Sequence, residues 1–200
     1  TENMINYIEA SLEGKGDSQK IKLYAENAAD HFEWVKSLGV SYKEAVHLGR
    51  IVVPESNESL LYTGNERVSP FCDVAEPIPR GHVPSHEGDF GGKIFFEALR
   101  QALNASDADI SCDSRARCLV VNENNEIVGV AFKKDNRMQY AKANKGVILS
   151  AGGFVMNEEM ITSYLPFQKS FAAPYGNPWD KGDGIQMGMS INATISNREE

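Results

Sequence analysis

The sequence predicts an α/β fold: part of an open sheet carrying an inserted antiparallel β-meander, with helices on its flanks. Three observations predict it. Val147, Ile148 and Leu149 form an apolar run without alternation that stops on Ser150, Ala151, Gly152 and Gly153. Such a run suits a strand buried on both faces. Ile21, Tyr24, Ala28, Phe32, Val35 and Leu38 recur at three- and four-residue intervals, the period of one helix face. Between residues 115 and 143, strand-like segments alternate with short polar turns, which is the pattern of a meander.

Bulk properties narrow the class. The chain has 200 residues, 42% of them hydrophobic, enough for a real core. The net charge of -8 argues against a nucleic-acid or anionic-membrane surface, which needs clustered lysine and arginine. No segment approaches the roughly 18 continuous apolar residues of a membrane span. The cysteines, Cys72, Cys112 and Cys118, are odd in number and lack Cys-x-x-Cys spacing. Neither a disulfide framework nor a zinc site is indicated, and a reducing cytoplasm fits best. The chain opens on Thr1, as expected of a segment from a longer polypeptide.

Taken in order, Met4, Ile5, Ile8 and Leu12 carry a first helical stripe, which Gly14 and Gly16 break. Asp17 or Ser18 then caps the long second helix. Gly39 followed by Val40 reads as its left-handed stop. Residues 41–89 show little periodicity and are punctuated by Pro54, Pro70, Pro77, Pro79 and Pro84. Long irregular stretches in compact domains are often functional. In the densest part, Arg80 and His82 could be presented to an anionic or electron-rich ligand. A structural loop whose arginine meets a carboxylate accounts for them equally simply and is the commoner use. His82 and His86 have metal spacing only on a helix, which Pro84 forbids; no metal site is expected.

Gly88, Gly91, Gly92 and Lys93 hint at a phosphate loop, but Glu87 and Ile94 occupy positions that need glycine and serine or threonine. A glycine-rich entry to a helix over about 93–103 remains. Ile110 and Cys112 alternate with polar residues. Strands follow over 116–121, 127–132 and 138–143, with turns at 123–126 and 134–137. The run at 145–149 is then the returning strand. Its bare end at Ser150 to Gly153 either lines a ligand crevice or makes a plain strand-to-helix turn. Asn157 caps a short helix holding Met160, Ile161 and Tyr164. Asp183, between Gly182 and Gly184, is the expected N-cap of a helix to about Met189. That start suits a hydroxyl or phosphate, or is an ordinary cap.

In order and spacing, residues 116–120 ahead of the meander, Ser150 to Phe154 with Asn157 and Met160, and Gly182 to Gly184 resemble the flavoproteins of the fumarate reductase and succinate dehydrogenase superfamily. Leu61, Tyr62, Thr63, Gly64, Asn65 and Glu66, then Pro70 and Phe71, then residues 79–84, narrow this. They are similar to the flavin-dependent 3-ketosteroid dehydrogenases, and to the 4-(5α)-dehydrogenase branch in particular. The resemblance implies FAD as cofactor and a small hydrophobic substrate in the full enzyme. Ala151, Gly152 and Gly153 would lie against the adenosine side. The backbone at Ala116 would read the adenine edge. Asp183 would lie in the cofactor site near the departure of a substrate-cap domain. The family's chemistry removes two hydrogens from adjacent carbons, one as hydride to the flavin and one as proton to a base.

On this reading, residues 1–155 are a partial FAD-binding domain with the irregular loop at 41–89 and the meander at 115–143. Residues 156–200 begin the cap and supply a cofactor-side helix. No Gly-x-Gly-x-x-Gly turn, which would seat the pyrophosphate, occurs in the 200 residues. The family's catalytic tyrosines align outside them, so no catalytic residue is carried over. The chain alone is expected to bind FAD weakly or not at all, without turnover. Ser150-Ala151 replaces the family's usual threonine, and Arg117 and Cys118 follow Ala116. The alternatives are a fumarate- or urocanate-type FAD reductase and a flavin-free interaction domain on the same scaffold.

Overall fold

The computed structural model describes residues 1–49, 60–62, 64–86, 91–170 and 174–195. Pro54, Thr63 and the entry at 87–90 lie outside the described residues. The chain divides into two compact units, Thr1–Asp109 and Ile110–Glu200.

The first unit is mostly helical. It holds α1 (Glu2–Ser11), α2 (Ser18–Ser37), β1 (Val46–His47), β2 (Leu60–Leu61), α3 (Phe71–Val74), β3 (Gly81–His82) and α4 (Gly91–Asn104). Asp17 caps α2 as expected: its carboxylate accepts the amides of Gln19 at 3.0 Å and Lys20 at 3.2 Å. Those amides have no partner inside the helix, and they hold the Asp17 pKa below its ordinary value. Gly39, at φ 95°, makes the left-handed stop. The buried face of α2 runs through Ile21, Ala25 and Val35. Ala25 thus takes the place expected for Tyr24, which is 61% exposed. Val35, Val40 and Ala98 form the buried centre, with Leu38, Tyr42, Ile94 and Phe95 packed on it. Among its described residues, the stretch expected to be irregular contains three strands of two residues each. β1 runs parallel to β2 and β3 antiparallel to it.

The second unit is built on the meander: β4 (Arg115–Val121), β5 (Ile127–Lys134) and β6 (Arg137–Lys142), antiparallel in that order. Two-residue closure between Lys134 and Arg137 puts Asp135 at φ 50° and Asn136 at φ 59°. Both are the left-handed angles of a type I′ hairpin turn. β4 is an edge strand with a bulge. Ala116 pairs with Phe132 and Cys118 with Ala131, which leaves Arg117 without a partner. Helices α5 (Glu158–Tyr164) and α6 (Asp183–Met189) follow, with a 3₁₀ turn at Pro166–Ser170 between them.

Two expected elements are corrected. Residues 145–149 form no strand, and Ile148 is 91% exposed. A strand buried on both faces needs neighbouring strands, and among the described residues none pairs with this run. Ile110 and Cys112 likewise lie exposed in a turn region rather than in a strand. The α/β class itself stands. No helix among the described residues is long and apolar enough to cross a membrane.

Candidate functional site

The site expected around Ala116, Ala151, Gly152, Gly153 and Asp183 lies within the second unit, and α6 organises it. The segment before α6 is stitched to the glycine turn by three bonds. Met156 donates its amide to the Asp180 carbonyl, Gly182 its amide to the Gly153 carbonyl, and Asn157 its side-chain amide to the Lys181 carbonyl. Asn157 Oδ1 also accepts the Met160 amide at 3.1 Å, capping α5 as expected. Gly152, at φ 76°, packs against the Asp180 carboxylate, where a Cβ would collide. Part of the bareness expected to serve a ligand therefore serves this turn.

Asp183 is not the N-cap. Gly182 takes that position at φ 77°, because the chain enters α6 from the left-handed region, which glycine adopts at little cost. Asp183 becomes the first helical residue. Its carboxylate instead receives Arg115 Nη2 at 3.0 Å. Arg115, at the start of β4, is the group that sequence reasoning missed. The pair joins residues 68 apart in sequence, so no local pattern marks it.

Two hollows flank α6. One, of about 340 Å³, is lined by Leu149, Ala151 and Gly152 on one side and by Gly184, Gly188 and Met189 on the other. The second, of about 300 Å³, brings Ala116, Arg117 and Cys118 of the bulged edge against Asp183, Gln186 and Ser190. Ala116 and Asp183 thus share one hollow, and Ala151 and Gly152 the other. Gly153 is in neither lining; its carbonyl is taken by Gly182. The first hollow is walled by small residues together with the apolar side chains of Leu149, Ile185, Met189 and Ile195. The second carries two guanidinium groups (Arg115 and Arg117), a carboxylate, an amide and a hydroxyl.

Arg80 and His82 lie in the first unit, and neither meets a carboxylate among the described residues. The Arg80 guanidinium rests 5.1 Å from the Tyr7 ring centroid and donates to the Ile78 carbonyl at 3.2 Å. His82 remains exposed as a residue, yet its ring packs 4.1 Å from that of Phe32 and edge-on to Tyr42. Burial against these rings lowers its pKa below the ordinary histidine value.

Comparison with known proteins then places this geometry. The FAD binding domain family model matches residues 1–200. The chain is 30% identical over 193 residues to "Probable fumarate reductase Ifc3" of Shewanella frigidimarina, covering 95% of this chain and 28% of that protein. The crystal structure of 3-ketosteroid-delta4-(5alpha)-dehydrogenase from Rhodococcus jostii RHA1, in complex with 4-androstene-3,17-dione, superposes with a TM-score of 0.93 at 28% identity. That match covers 99% of this chain and 42% of the dehydrogenase. A flavocytochrome c3 fumarate reductase in its open conformation superposes with a TM-score of 0.76 at 27% identity, over 96% of this chain and 29% of its own.

Proposed function

We propose a function from one premise: the chain belongs to the FAD binding domain family, whose model it matches over all 200 residues. The whole protein is an FAD-dependent oxidoreductase that desaturates a 3-oxosteroid or a similar enone. The observation that carries the steroid assignment is the TM-score of 0.93 against a 3-ketosteroid dehydrogenase, over 99% of this chain. The segment from Leu60 to Pro84 supports it from the sequence side.

The residues of the second unit fit a dinucleotide cofactor. Gly184 packs closely on the glycine turn, since a Cβ there would stand 3.1 Å from the Ala151 Cβ, tighter than most such contacts. The hollow of about 340 Å³ beside them combines bare backbone at Gly152, Gly184 and Gly188 with the apolar side chains of Leu149, Ile185 and Met189, a wall that suits a flat nucleoside. Ala151, Gly152 and Gly153 would hold the adenosine side, the Ala116 backbone the adenine edge, and Asp183 a polar group of the cofactor. The Arg115 guanidinium aims the Asp183 carboxylate through their 3.0 Å contact. Bound FAD would supply the electron sink for a hydride. This chain's residues supply position, and its pairing of Arg115 with Asp183 ties the edge of the meander to α6. Residues 156–200 are proposed to begin the substrate cap. The unpaired cysteines fit a cytoplasmic enzyme of steroid metabolism.

A second reading, reduction of fumarate or urocanate on the same scaffold, is favoured by the 30% identity to a probable fumarate reductase over 193 residues. One experiment separates the two. The full-length flavoprotein is mixed without oxygen with a saturated 3-oxosteroid, and the flavin absorbance is followed. Bleaching within seconds supports the dehydrogenase. No bleaching, together with reoxidation of the chemically reduced flavin by fumarate or urocanate, supports the reductase. A flavin inert to all three compounds overturns both readings.

A further inference from the structure

The first unit carries a hollow that the flavin assignment does not use. Its volume is about 860 Å³, within the range of small-molecule sites. Ala28 and Phe32 of α2 form its floor, and Tyr42, Phe95 and His82 close its sides. Leu23 and Tyr24 stand at its rim, 64% and 61% exposed. The wall is thus aromatic, and a flat or fused-ring body would bury its apolar surface there at roughly 25 cal/mol per Å².

The charges are one-sided. The chain carries a net charge of -8, yet among the described residues the lining of this hollow contains Lys20 and Arg80 and no aspartate or glutamate. Lys20 already faces Asp17 at 3.5 Å and is largely exposed, so it contributes little. Arg80 is different. It is half-buried, and its partners are neutral: the Tyr7 ring and the Ile78 carbonyl. The Tyr7 hydroxyl is itself fixed by the Asn65 amide at 3.2 Å, so the guanidinium rests on an anchored ring. A partly desolvated cation with no counter-charge among the described residues favours an anion beside it.

We propose that this hollow binds an amphipathic organic anion, with an apolar ring body against Phe32, Tyr42 and Phe95 and a carboxylate or sulfonate on Arg80. His82, stacked on Phe32, forms part of the ring-binding wall rather than a second cation. The proposal does not rest on the dehydrogenase reading, because a 3-oxosteroid need carry no charge.

The test uses the full-length flavoprotein and two probes, anilinonaphthalene sulfonate and its uncharged counterpart phenylnaphthylamine, in calorimetric titrations. Arg80→Gln should weaken the sulfonate about tenfold, equivalent to about 1.4 kcal/mol, and leave the neutral probe unchanged. Arg80→Lys, which keeps the charge, should retain most of the sulfonate affinity. Ala28→Trp, which fills the floor, should weaken both probes. Equal sulfonate binding by wild type and Arg80→Gln overturns the proposal. So does unchanged binding of both probes by Ala28→Trp, or absence of sulfonate binding to the wild type.

Discussion

Asn157 performs two tasks with one side chain. Its oxygen caps α5 by accepting the Met160 amide, and its nitrogen donates to the Lys181 carbonyl at 2.8 Å. The first bond is local and was legible as a cap ahead of a helical stripe. The second spans 24 residues and was not. Asn157→Ala should cost about 1 kcal/mol for the cap and about 1 kcal/mol more for the tie to the α6 entry. Asn157→Asp keeps the acceptor and should lose only the second part. Thermal unfolding of the chain, followed by circular dichroism, reads the difference. An Asn157→Asp midpoint equal to that of the wild type would show that the Lys181 bond contributes nothing, and identical midpoints for the two variants would show the same of the cap. Asp183 teaches the same lesson from the other side. An aspartate between glycines before an apolar run looks like an N-cap, but Gly182 at φ 77° takes the cap and Arg115 takes the carboxylate.

At the scale of elements, the meander is the best determined piece. Its boundaries follow from polar turns that demand left-handed residues, and Asp135 and Asn136 tolerate those angles better than most. β5 then depends on small residues along one face: Gly129 and Ala131 are both buried. A Cβ at Gly129 would run into the Ala141 carbonyl of β6. Gly129→Val should therefore destabilise the second unit by about 1–3 kcal/mol, the usual range for overpacking. Chemical denaturation monitored by the β signal should show an earlier midpoint, and an unchanged midpoint would mean that β6 shifts freely. The α2 helix was equally legible, except that its buried face includes Ala25 in place of Tyr24. Periodicity cannot choose between adjacent registers of a wide apolar stripe.

At the scale of the whole molecule, the chain spans 28% of the curated fumarate reductase and 42% of the steroid dehydrogenase that it matches. The proposed cofactor residues, Ala116, Ala151, Gly152, Gly153 and Asp183, line or adjoin two hollows beside α6, but these 200 residues contain no glycine-rich pyrophosphate turn. The chain alone should therefore bind FAD with a Kd well above that of the full protein, and it should show no turnover. Titration with FAD, followed by flavin fluorescence, checks this, and tight stoichiometric binding would refute it. The sequence by itself determined the α/β class, the long helix α2, the Asp17 and Asn157 caps, the meander and the flavoprotein resemblance. All of these follow from short-range spacing or from motifs in order. Tertiary structure alone decided that residues 145–149 pair with no strand among the described residues, that Arg115 holds Asp183, that Gly152 yields to Asp180, and that Arg80 rests on Tyr7. The reason is physical: turns and caps are settled within a few residues, whereas burial, ion pairing and strand partnership depend on groups that only folding brings together.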